Sequence, residues 1–359
     1  MSLSGKKSLA WIVVSFVVGS WTVSASAEEW NDFVTREPDA IVLADSLAAI
    51  TDKASRDLLG KPVDQPALID AFRRISWKTR SQIIQGGAGE TAAALRHAVF
   101  TVEGLVPDQD FAARADTATA LLSEVLEHHR GVCLSLSLIY LAAADEAALP
   151  VRGVSVPEHF FVRYDNGDAH LNLETLDRGG TSRSDSFYRR KFFVHKGEPF
   201  YMRSLTKRES LAVYLSQLAA LYNRAGKSAQ AVELLEAAQQ ASPSDPEIRT
   251  NLGVALRAAG RPEDAVNAWR TAIILDPYDD VAHFNLAAGL ADRGEWLEAI
   301  HHFDESMRLG HAYDMRLLRR LEPHRPDALY KHAPREIEPE AKQSSPKTSM
   351  VLISQEAKA

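Results

Sequence analysis

The sequence predicts an α+β thiol-type core, preceded by a helical region and followed by an all-α repeat solenoid. Three observations predict it. The single cysteine of 359 residues, Cys133, opens a helix and is followed by a β-hairpin carrying His159 and Glu174. Residues 208–311 repeat with a 34-residue period. Before the cysteine, apolar residues recur at helical rather than alternating spacing.

At the N-terminus, Lys6 and Lys7 form a basic region, Leu9 to Val23 an apolar stretch and Ala25-Ser26-Ala27 a cleavage site. Residues 1–27 therefore read as a signal peptide, and the mature chain as periplasmic or secreted. An uncleaved N-terminal membrane anchor is the minor alternative; after cleavage no stable membrane span is expected. Removing Lys6 and Lys7 takes the formal charge from −7 to −9, which argues against nucleic-acid binding. Export also bears on Cys133, because a lone cysteine can form no internal disulfide and an exported, activated thiol risks oxidation, a hazard easier to explain if the thiol has a task.

Residues 28–207 read as one domain, with 28–130 mostly helical. Helical stripes run through Ile41 to Leu59, Leu68 to Ile84 and Thr91 to Leu105. Gly86-Gly87-Ala88-Gly89 lacks the strand, spacing and Lys of a phosphate loop and reads as a helix connector.

Residues 131–207 carry the chemistry. Arg130-Gly131 breaks one helix, and the next runs from Cys133 to about Ala148, so the sulfur sits in a helical first turn. Unpaired N–H groups and the positive end of the helix dipole there favour thiolate. Downstream, Asp165-Asn166-Gly167-Asp168 has the composition of a two-residue type I′ turn. That turn pairs Asp165 with Asp168, Phe161 with Asn172 and His159 with Glu174, with facing Cβ atoms about 4.5–5.5 Å apart. Phe160, Val162, Tyr164, Leu171 and Leu173 share the core face, and His159, Phe161, Arg163, His170, Asn172 and Glu174 the cleft face. In this arrangement His159 shuttles the Cys133 proton, Glu174 orients the imidazole, and Asn172 is the alternative orienter.

The stretches Leu121–Leu141, Leu149–Tyr164 and Leu171–Thr175 resemble the transglutaminase-like superfamily of papain-type thiol folds. The resemblance spans roughly residues 90–310 and is to the bacterial SirB-type branch, which often carries tetratricopeptide repeats behind its core. It implies a Cys133–His159–Glu174 triad, with Glu where transglutaminases proper usually have Asp. The implied activity is thioester chemistry on an amide or peptide bond, hydrolysis preferred over acyl transfer. The alternative is a non-catalytic periplasmic scaffold. No cofactor or metal is expected, since neither a Cys/His metal spacing nor an EF-hand loop occurs.

Residues 178–208 hold nine Lys or Arg against Asp185 and Glu198, with Arg189-Arg190-Lys191 among aromatics. This is a candidate contact for an anionic cell-wall polymer. The repeats follow, with Leu218, Leu252 and Leu286, then Gly226, Gly260 and Gly294, then Ala231, Ala265 and Ala299, and bulky Leu235, Trp269 and Phe303. This pattern matches three tetratricopeptide units, a module that binds or positions a protein or peptide partner. Residues 312–321 read as a capping helix, and the rest to Ala359 as a flexible tail.

Overall fold

A computed structural model describes residues 30–33, 35, 40–109, 116–178, 182–195 and 198–326. The predicted signal peptide, the anchor alternative and most of the tail lie outside the described residues.

The helical region begins with α1 (Leu43–Leu59), whose stripe of Leu43, Leu47, Ile50 and Ala54 is buried. Next comes α2 (Gln65–Arg80), which starts where the Asp64 carboxylate accepts the Ala67 N–H. α3 (Ala88–Arg96) continues through a wider turn, His97–Val102. Of the glycine segment, Gly86 and Gly87 connect α2 to α3 while Ala88 and Gly89 open α3, and the connector is fastened by Glu90, which accepts the N–H groups of Ile84, Gln85 and Gly86.

Two short segments, β1 (Val106–Pro107) and β2 (Arg130–Gly131), pair in parallel around α4 (Thr117–Ala120) and α5 (Leu122–His128). The central helix α6 (Cys133–Glu146) is buried from Cys133 to Ala144, with no polar face. It packs against an antiparallel sheet of β3 (Val151–Val156), β4 (His159–Asp165) and β5 (His170–Leu173), in the order β3-β4-β5.

Here the predicted hairpin register is corrected. Arg163 opposes Asn172 and Asp165 opposes His170, so the connection is a four-residue loop, Asn166–Ala169, rather than a two-residue turn. The cause is the Asn166 side chain, whose oxygen accepts the N–H groups of Asp168 and Ala169 and so closes a wider loop. The shift is two residues, an even number, so each side chain keeps its predicted face. His159 no longer opposes Glu174, which lies just beyond β5; in the ladder His159 pairs with Val156 of β3.

After β5, α7 (Asp185–Lys191) meets β4 through Tyr188, stacked on Phe161, and Asp185, paired with Arg163, and the chain runs back along β3, where Met202 and Leu205 donate N–H bonds to Ser155 and Gly153. Three helix pairs follow: α8 (Lys207–Arg224) with α9 (Ser228–Ala241), α10 (Pro246–Ala258) with α11 (Pro262–Leu275), and α12 (Asp280–Asp292) with α13 (Trp296–Leu309). Gly226, Gly260 and Gly294 take φ of 74°, 77° and 76° at the turn inside each pair. Leu235, Trp269 and Phe303 are buried between the paired helices. The predicted cap is α14 (Met315–Leu321), which buries Leu317 and Leu321.

The two halves share one hydrophobic core, continuous from Trp30 to Leu321. Polar bonds stitch the junction: Thr51 to the Tyr214 hydroxyl at 3.1 Å, Tyr222 to Asp57 at 2.6 Å and Lys207 to Asp145 at 2.5 Å. No helix among the described residues is long and apolar enough to cross a membrane.

Candidate active site

Cys133 is the first residue of α6 and is fully buried. The turn before it is held tightly. Ser135 Oγ accepts the Val132 N–H at 3.0 Å and donates to the Thr119 carbonyl at 2.7 Å. A Cβ on Gly131 would stand 2.9 Å from both Ser135 Oγ and Val125 Cγ1, so the close approach there requires glycine.

His159, the first residue of β4, reaches both neighbours. Its Nε2–H donates to Glu174 Oε2 at 2.9 Å, and the ring is also hydrogen-bonded to Cys133. With Nε2 spent on Glu174, Nδ1 is the nitrogen that faces the sulfur. Burial alone would push the imidazole down, but the hydrogen bonds to Cys133 and Glu174, and the charges behind them, raise its pKa to about 9. An imidazolium held so firmly favours a thiolate beside it.

Burial opposes ionisation of Glu174, yet its carboxyl is held below the usual range by His159, the Leu176 N–H and the Tyr188 hydroxyl. Tyr188 donates to Oε2 at 3.2 Å and Leu176 to Oε1 at 3.1 Å. The neighbouring Thr175 is buried and donates to the Cys133 carbonyl at 3.2 Å, tying the end of β5 to the nucleophile's helix.

The structure thus brings Cys133, His159 and Glu174 together. Asn172 is not with them, a correction to its role as alternative orienter. Its oxygen accepts from Arg163 Nε at 2.7 Å, and its amide donates to Asp185 Oδ1 at 2.8 Å and to the Arg183 carbonyl. The pull comes from Arg163, a buried cation that needs this partner and Asp185 to offset its burial.

Sequence reasoning missed Tyr188 and Phe192. Both lie in the basic 178–208 stretch, where the cations drew the reading to the surface. The face expected to line an open cleft is covered by them. Phe192 stacks on the His159 ring with centroids 4.7 Å apart and planes at 6°, and Tyr188 stacks on Phe161 at 4.0 Å. Arg183, Arg190 and Lys191 remain exposed. Among the described residues, one cluster has metal-ligand spacing, Glu124, Glu127 and His128 on α5; Glu127 and His128 are exposed, and His128 already pairs with Glu124 at 3.4 Å.

Residues 67–212 match the transglutaminase-like superfamily, and residues 217–280 and 250–310 match the tetratricopeptide repeat. The TPR repeat-containing thioredoxin TTL4 of Arabidopsis thaliana is 36% identical over 101 residues, which are 28% of this chain and 15% of that protein; the chain therefore spans only a small part of that relative. Among solved structures, menin, crystallised to reveal the binding site for Mixed Lineage Leukemia (MLL) protein, superposes with a TM-score of 0.55 at 14% identity. The match covers 85% of this chain and 75% of menin, and it is a likeness of fold alone. The Sgt2 TPR domain from Aspergillus fumigatus is 20% identical over 38% of this chain and 89% of its own, with a TM-score of 0.30. The chain is a transglutaminase-like domain followed by tetratricopeptide repeats, a class of repeat that commonly mediates protein–protein binding.

Proposed function

We propose that the chain is a thiol enzyme acting on an amide or peptide bond, with Cys133 as nucleophile, His159 as acid–base and Glu174 as the group that orients and charges the imidazole. The observation that carries this reading is the hydrogen-bonded line Cys133–His159–Glu174, buried and starting at a helix N-terminus. The thiolate attacks the carbonyl carbon, and the oxyanion collapses to a thioester as the amine leaves with the proton from His159. Water then attacks the thioester, giving its proton back to His159 and releasing the acid. Hydrolysis is the preferred outcome, with water rather than a second amine resolving the thioester. The leader-like residues 1–27 support action outside the cytoplasm. Exposed Arg183, Arg190 and Lys191 are the remaining support for contact with an anionic polymer.

The test is the rate of Cys133 alkylation by iodoacetamide against pH, in wild type and His159→Ala. An activated pair gives a plateau already reached below pH 7 that the mutation removes or shifts toward about 8.5. Identical profiles near about 8.5 in both proteins would sink the enzyme reading. They would favour the second one, a binding scaffold, which draws on the full burial of Cys133, on the Phe192 ring stacked over His159, and on a fold shared with the MLL-binding protein menin.

A further inference from the structure

β3 and β4 are joined by the shortest hairpin connection, since Val156 pairs directly with His159 and only Pro157 and Glu158 lie between. This turn is an awkward one. The proline ring fixes the first central residue near −65°, and Glu158 has a φ of 62°, the combination of a type II turn that normally takes glycine or asparagine second. Two-residue hairpins favour types I′ and II′, because a type II turn splays the strands against their natural twist. A bulky residue in the left-handed region persists where its surroundings hold it.

The surroundings here come from the repeats. The Glu158 N–H, which points outward in such a turn, donates to Oε1 of Glu247 at 2.8 Å, across 89 residues of sequence. Glu247 stands in the first turn of α10 in the second repeat, a fixed platform: Pro246 starts the helix, and buried Asp245 caps it by accepting the Glu247 and Ile248 N–H groups. The residue after Glu158 is His159.

We propose that Glu247 is a positioning residue for the thiol site, holding the strained Pro157–Glu158 turn so that His159 meets Cys133 and Glu174. This rests on the thiol-enzyme reading above. It makes the second repeat a working part of the active site, where recruitment of a partner alone would leave the site indifferent to Glu247.

The test uses the intact chain with Glu247→Ala, Glu247→Gln, Glu158→Gly and the double variant Glu158→Gly/Glu247→Ala. Glu247→Ala should lower the neutral-pH alkylation rate of Cys133 by about 10- to 100-fold and move its pH midpoint upward, as a small misplacement of His159 requires. Glu247→Gln keeps an acceptor oxygen and should stay near wild type. The double variant should recover most of the loss, because glycine adopts a positive φ without being held. A rescue of this kind is not expected if Glu247 serves only overall stability. A folded Glu247→Ala protein with the wild-type profile, or a double variant no better than Glu247→Ala, would overturn the proposal.

Amide hydrogen exchange at Glu158 reads the clamp separately, and Glu247→Ala should accelerate it. Unchanged exchange overturns the clamp even if alkylation slows. A wild-type thiol that titrates as His159→Ala does is the distinct failure of the enzyme reading itself, and it would remove the site that Glu247 is said to position.

Discussion

His159 shows how one side chain can be legible by type and illegible by environment. The sequence places it on a strand face with Glu174, and that much is in the structure. Its cover is not in the pattern, because Phe192 is 33 residues away and sits in a run dominated by cations. The Glu174 charge is a main support of the imidazolium, so Glu174→Gln should lower the His159 pKa from about 9, read by NMR titration of the ring. The sign for stability follows. A histidine whose folded pKa lies above its unfolded value near 6.5 contributes stability in full below about pH 6.5 and loses it as pH rises through about 9. Wild-type melting temperature should therefore fall across that window, and Glu174→Gln should flatten the fall. A slope equal in both proteins would show that the pair does not couple to folding.

Among the elements, the repeat helices were the easiest to read and the hairpin the hardest. A 34-residue period is reinforced at every unit, and Leu218, Leu252 and Leu286 are all buried as it requires. The hairpin rested on one turn, and the Asn166 side chain, satisfying two backbone donors itself, moved the register by two residues. Helix α7 had no periodic signal at all; what fixes it is the buried Arg163, whose partners Asn172 and Asp185 come from two elements. Close packing within the second repeat gives an element-scale prediction. A Cβ on Gly253 would lie 2.3 Å from Trp269 Nε1, and that indole already donates to the Thr250 carbonyl. Gly253→Ala should cost about 1–3 kcal/mol in chemical denaturation, as overpacking does. A change within about 0.5 kcal/mol, the range of ordinary surface substitutions, would mean that the second repeat adjusts freely around the ring.

At the scale of the whole molecule, two units that read as separable in sequence share one core. Thr51, Asp57 and Asp145 of the helical region and thiol core bond to Tyr214, Tyr222 and Lys207 of the first repeat helix, and the apolar contacts run on without a break. Calorimetry should accordingly show one cooperative unfolding transition rather than two. Two resolved transitions would mean that the junction is weaker than its contacts imply. The Glu158–Glu247 bond gives this union a practical meaning. A repeat array transplanted from another protein to redirect binding would arrive without the Glu247 carboxyl oxygen that the β3–β4 turn leans on, and the graft would change the recognition surface and detune the thiol together. Retargeting has to proceed by altering side chains on the existing repeats, with Glu247 left in place.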